Sequence, residues 1–189
     1  MLIGLGGLAD HAETLADEMD FGFLFDAQHQ VFYLGYRVDA EELDANHYDL
    51  LASEARTASL IAIAKGQVPQ SHWLHLARPL TEMAGTRALL SWNGSMFEYL
   101  MPDLFTRSYE STLLFQTNRA VVRRQIAYGR EQGVPWGISE SGYYRFDGAM
   151  NYQYRGFGVP GVGRKRGLAD DLVVAPYASL LATSIAPQD

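Results

Sequence analysis

The chain has 189 residues, 48 % of them hydrophobic and 20 % charged, which excludes a disordered chain and fits one domain. Its net charge of -7 argues against nucleic acid as a partner, because phosphate binding needs a basic face. Cys is absent, so there is no disulfide framework, and no apolar run approaches the roughly 18 residues of a membrane-spanning helix.

The start, Met1-Leu2-Ile3-Gly4-Leu5-Gly6-Gly7, has no basic region ahead of an apolar one and does not read as a signal peptide. Leu8 to Met19 has the spacing of a short amphipathic helix, with Leu8, Ala12, Leu15, Ala16 and Met19 on one side. Phe21–Phe25 and Val31–Tyr36, separated by Asp26-Ala27-Gln28-His29-Gln30, predict a β-hairpin with a solvated His29 in its turn. Leu50 to Lys65 predicts a helix with Asp49 as N-cap and Gly66 just past its end. It is apolar or small on nearly every face, so it should be buried. Ser71-His72-Trp73-Leu74-His75 places two His three apart, but no third ligand follows and no metal or other cofactor is expected. Asn93-Gly94 signals a turn inside Ser91–Pro102. Tyr109 to Gln132 predicts the longest helix, with Ser108 as N-cap, a solvated Arg face and Gly133 as its stop. Phe146 to Gly167 reads as a long irregular loop. Asp171 to Ile185 reads as a last helix, with Pro176 marking its true first turn.

The most informative stretch is Val134 to Tyr144, where one carboxylate, Glu140, sits in an ordered turn between Trp136 and Tyr143-Tyr144. Carbohydrate sites combine such groups: aromatic faces stack on the sugar ring and a carboxylate acts at the glycosidic bond. Two further carboxylates qualify. Glu54 lies in the predicted buried helix, where an unpaired carboxylate is costly and its pKa is expected to rise. Glu98 lies in the aromatic turn with Trp92. Tyr152, Gln153, Tyr154 and Arg155 in the long loop have side chains suited to lining a sugar groove.

In order along the chain, Phe23-Leu24-Phe25-Asp26, Tyr48 to Arg56, Ile61 to Gly66, Ser91 to Pro102, Val134 to Ser141, Tyr152 to Arg155, Phe157 to Gly161 and Asp171 to Tyr177 resemble the glycoamylase-like domain of bacterial cyclic β-1,2-glucan synthases and related endo-β-1,2-glucanases. The resemblance implies a mainly α fold, an (α/α)6 toroid, here with a short β-hairpin near the N-terminus. It implies a retaining glycoside hydrolase or transglycosylase on β-1,2-glucan, with Glu140 as nucleophile and Glu54 as acid/base. Trp92, Glu98, Trp136, Tyr144, Tyr152, Gln153, Tyr154 and Arg155 are then the candidate substrate-binding residues. This chain departs from the family pattern at Arg37, at Asn46-His47 and at Arg164. A six-hairpin toroid needs about twelve helices and roughly twice this length. The chain is therefore expected to form part of a toroid and to self-associate, or to belong to a larger membrane synthase on the cytoplasmic side of the inner membrane. The competing readings are an inverting endo-β-1,2-glucanase and an incomplete domain that binds glucan without turnover.

Overall fold

The structure is a computed structural model that describes residues 4–83 and 85–187. Met1–Ile3, part of the start discussed above, lie outside the described residues. The chain is not a mainly α toroid: it is 38 % helical and 19 % strand, with the strands in four small sheets. Among the described residues only two helices exceed ten residues, and hairpins lie between the helices. The self-association expected of a half-toroid loses that architectural basis.

Helix α1 (Leu5–Glu18) begins three residues earlier than its apolar spacing predicts, and none of its residues is buried. Lys65 Nζ donates to the carbonyls of Ala16, Asp17 and Met19, which satisfies acceptors at the helix end. The predicted hairpin forms, shorter than expected, from β1 (Phe25–Asp26) and β2 (Val31–Tyr33). Phe25 and Phe32 face each other across it at 5.9 Å in a T-shaped pair. A second hairpin, β3 (Tyr36–Arg37) with β4 (Glu42–Leu43), carries an Arg37–Glu42 ion pair. Strand β5 (His47–Tyr48) then returns to the far side of β2, in the register Phe32↔Tyr48 and Tyr33↔His47.

The predicted helix over Leu50–Lys65 is the main local correction. Helix α2 covers only Arg56–Ala64 and is capped at Ala55, not at Asp49. Leu50 instead forms a parallel bridge to Ala77, so residues 50–55 run as an irregular segment. The face of α2 turned inward carries Arg56, Ser59 and Ala62, while Leu60 and Ile61 are exposed. Gly66 does end the helix with φ +70°.

Helix α3 (Ser71–His75) buries His72, whose ring nitrogens bond the Gln30 carbonyl and Ser59 Oγ, each at 2.8 Å. His75 is exposed and does not join it. Strands β6 (Leu80–Met83) and β7 (Thr86–Leu89) form a hairpin against the long helix. Helix α4 (Met96–Leu100) starts at Ser95, and the long helix α5 (Leu113–Gln132) starts at Thr112 rather than Ser108. Gly133 stops α5 in the left-handed conformation, as its sequence position predicts. Part of the long loop is a hairpin of β8 (Ser141–Phe146) and β9 (Tyr152–Arg155). Helix α6 (Pro176–Leu181) starts at its proline and is much shorter than Asp171–Ile185.

The main core gathers Met96, Tyr99 and Leu100 of α4, Val121 and Val122 of α5, Ala178 of α6, and the loop side chains Ile138, Phe157, Val159 and Val162. Buried Tyr99 Oη accepts the Ser91 N–H and lies 2.6 Å from the Val162 carbonyl. That pairing joins the Ser91–Ser95 turn to the 157–163 loop, where backbones cross closely. A Cβ on Gly158 would stand 1.8 Å from the Asn93 carbonyl oxygen. Gly158→Ala is therefore expected to cost about 3 kcal/mol and to lower the melting temperature by roughly 6–12 °C. Differential scanning calorimetry checks this, and an unchanged melt would refute the close crossing.

Candidate functional site

Four chain segments meet at an open cleft of about 640 Å³. Its lining includes Glu54, Glu98, Glu140, Trp92 and Tyr48. The three glutamates that stand far apart in sequence thus line one cleft.

Glu54 sits on the irregular segment just before α2. Its position depends on Arg56, which is 3 % exposed. Arg56 Nη1 donates to the carbonyls of Ser53 and Glu98, both at 3.0 Å, and Nη2 donates to Tyr99 O at 2.6 Å. One guanidinium therefore ties the Glu54 segment to α4, and Asp103 lies 3.7 Å away as its counter-charge. Burial pulls the Arg56 pKa down to about 10, so it stays charged at neutral pH. Ser53 Oγ donates to Glu54 Oε2 at 3.2 Å. Burial, reinforced by the charges of Glu98 and Glu140, raises the Glu54 pKa above the usual carboxylate range.

Glu98 has a different environment. It is 2 % exposed and accepts hydrogen bonds from the backbone N–H groups of Asn93 and Ser95 and from the hydroxyls of Ser91 and Ser95. With Ser95 it closes a capping box at the start of α4. Burial raises its pKa and those four donors act in the opposite direction. Both oxygens are engaged, so Glu98 shapes the Asn93–Gly94 turn that presents Trp92. Asn93-Gly94 is a turn as predicted, with Gly94 at φ +73°.

Glu140 follows an extended piece anchored on both sides. Gln125 on α5 clasps Ile138, donating to its carbonyl and accepting its N–H, each at 2.8 Å. A directed chain then runs from Phe97 N–H to Ser139 Oγ (3.0 Å), to Tyr177 Oη (2.8 Å) and on to the Glu140 carbonyl (2.8 Å). The Glu140 carboxylate accepts a hydrogen bond from Tyr154 Oη at 2.8 Å, and burial together with this carboxylate raises the Tyr154 pKa. Tyr154 belongs to β9, opposite Gly142 of β8, so the hairpin delivers the hydroxyl.

The other predicted residues divide. Trp92 is on the cleft, with the Arg164 guanidinium over its ring at 5.4 Å. Tyr144, Tyr152 and Tyr154 are exposed on the β8–β9 hairpin. Gln153 pairs with Tyr143 across the hairpin, and Arg155 is held by Asp171. Trp136 packs against the core and against Gly129, away from the cleft lining. Sequence reasoning did not single out Tyr48, Asp49, Ser53 or Tyr177 for the site. Burial raises the Tyr48 pKa, with Glu54, Glu140 and Glu98 adding to it. The adjacency of Tyr48-Asp49 to Glu54 was the available signal for two of them, whereas Tyr177 approaches Glu140 only through the fold.

Residues 46–189 match the family model described as putative glucoamylase. The chain belongs to that family. This glucoamylase-family chain is also 51 % identical over 181 residues to the cyclic beta-(1,2)-glucan synthase NdvB of Rhizobium meliloti (strain 1021). The alignment takes in 96 % of this chain and 6 % of that protein, so the chain spans a small part of its relative. Among the described residues, no helix is long and apolar enough to cross a membrane.

Proposed function

We propose that this chain carries the glycosidic-bond chemistry of a β-1,2-glucan hydrolase or transglycosylase, with Glu54 as acid/base and Glu140 as nucleophile in a retaining reaction. The observation that carries the reading is the difference between the two carboxylates on one cleft. Burial favours the protonated form of Glu54, the form that donates to a leaving oxygen. The Tyr154 hydrogen bond instead orients the Glu140 carboxylate, the group that attacks an anomeric carbon. Trp92 and Tyr48 supply aromatic surface on the same cleft. The match to a cyclic beta-(1,2)-glucan synthase supports the β-1,2 linkage as substrate and a larger synthase as the setting.

The test is incubation of the chain with linear β-1,2-glucan, with products read by mass spectrometry. Cyclic products mark transfer and shortened linear ones mark hydrolysis. The anomeric configuration of first-formed products, read by proton NMR, separates retention from the inverting alternative. A second reading, glucan binding without turnover, is favoured by the exposed apolar side chains Leu74, Phe105 and Leu180, which suit burial against further protein. Binding without any product would select it.

Tyr154→Phe removes the only side-chain hydroxyl that bonds the Glu140 carboxylate among the described residues. Losing the hydroxyl that orients the Glu140 carboxylate is expected to lower turnover by roughly tenfold, about 1.4 kcal/mol in the barrier. Equal turnover would remove Tyr154 from the mechanism.

A further inference from the structure

A second cluster of chemistry-bearing groups gathers at the β1–β2 turn and reaches the cleft through His47. Asp26 ends β1, and the turn after it folds back so that its Oδ1 accepts the backbone N–H groups of Gln28 (2.9 Å) and His29 (3.2 Å). Its Oδ2 faces His29 Nδ1 at 2.6 Å and His47 Nε2 at 2.9 Å. The pairing of β5 with β2 brings His47 to this turn from 21 residues away, and its ring stacks on Tyr33 at 4.5 Å. The three ligand atoms lie within 4.8 Å of one another.

We propose that Asp26, His29 and His47 bind a divalent cation of the zinc class. Two imidazole nitrogens and one carboxylate oxygen match a borderline cation, whereas magnesium and calcium prefer oxygen ligands throughout. The carboxylate is held in place by two backbone N–H groups, the kind of outer support that orients metal ligands. Neighbouring ligands around tetrahedral zinc at about 2.0–2.1 Å stand roughly 3.3–3.4 Å apart. His47 at 2.9 Å and exposed His29 at 2.6 Å from the Asp26 oxygen both reach that spacing by small outward swings. His29, read from the sequence as a solvated turn residue, thereby gains a partner that only the fold supplies. Because His47 also lines the cleft, a bound cation ties that wall to the β1–β2 turn. The site does not depend on the glucan reading.

The test uses the untagged full chain after chelator treatment. Zinc chloride is titrated by calorimetry, and cobalt chloride by visible absorption. His29→Ala and His47→Gln are compared with wild type, and His75→Ala, an exposed histidine on α3, is the control. Wild type and control are expected to bind one equivalent of zinc in the micromolar range. They should also give the visible bands of four- or five-coordinate cobalt, and show a zinc-dependent rise in melting temperature. Each ligand variant should weaken zinc by at least about tenfold and lose the cobalt bands. Two ligand variants are used so that a folding failure in one leaves the other to decide. The proposal is overturned if wild type binds no zinc, if both folded ligand variants bind as tightly as wild type, or if magnesium competes equally.

Discussion

Glu54→Gln and Glu140→Gln are each expected to reduce turnover of linear β-1,2-glucan by about 10²–10⁴-fold while leaving glucan binding measurable. The two losses should differ in kind. A proton donor becomes dispensable when the leaving group is already a good one, so Glu54→Gln should regain much of its first-step rate on a glucoside with an acidic phenol leaving group. Glu140→Gln should not, because no leaving group replaces a missing nucleophile. Burst kinetics on such a substrate, with both variants side by side, check this. Equal recovery by both variants would sink the assignment of roles. The pH profile carries an independent sign. Glu54 must be protonated to act as the acid and its pKa is raised, so activity falls as pH rises through that raised value, and the alkaline limb disappears in Glu54→Gln. Stability follows the same direction for Glu54 and Glu98. The folded chain holds their protons more tightly than the unfolded chain does. Their contribution is therefore full below the ordinary carboxylate pKa and is lost as pH rises through the raised one.

Arg56→Met is expected to be strongly destabilising, at least as much as Gly158→Ala. The guanidinium is the donor to three buried carbonyls and the partner of Asp103. Removing one side of a buried charge pair costs about 3–5 kcal/mol, because the other side stays buried and uncompensated. For a chain of this size that lowers the melting temperature by about 6–20 °C. Arg56→Lys keeps the charge but cannot reach both Ser53 and Tyr99 with one planar fork, so it should fall between the two. Calorimetric melts of both variants check the ranking. If Arg56→Met melts like wild type, Arg56 does not hold the Glu54 segment on α4.

Local signals were legible where one residue decides the backbone. Gly133 ended α5, Pro176 began α6, and Asn93-Gly94 made a turn, each because its own φ preference fixes the geometry. The failures were places where distant partners override local preference. Residues 50–55 have helical spacing, but Leu50 pairs with Ala77 and Arg56 draws Ser53 toward Glu98 and Tyr99. The toroid was inferred from resemblance, and the hairpins β6–β7 and β8–β9 overrule it in this chain. Of the site, Glu54, Glu140, Glu98 and Trp92 were legible as residue types and do share the cleft. Trp136 read as a sugar platform because it neighbours Glu140 in sequence, yet the turn at Gly137, φ +117°, separates it from Glu140, and its ring packs against the core. No single stretch of sequence shows that Tyr177 holds the Glu140 backbone or that His47 meets Asp26.

The clasp between Tyr154 and Glu140 sets a rule for how this hairpin can vary among relatives. Successive residues of β9 point to opposite faces, so one residue gained or lost between Tyr152 and Arg155 would turn Tyr154 away and release the carboxylate. The tip between Phe146 and Tyr152 is under no such constraint. It is closed by its own Asp147, which accepts the N–H groups of Ala149 and Asn151. The tip is therefore free to change length and composition, and with them what it meets beyond the cleft, while the strand below it keeps its count.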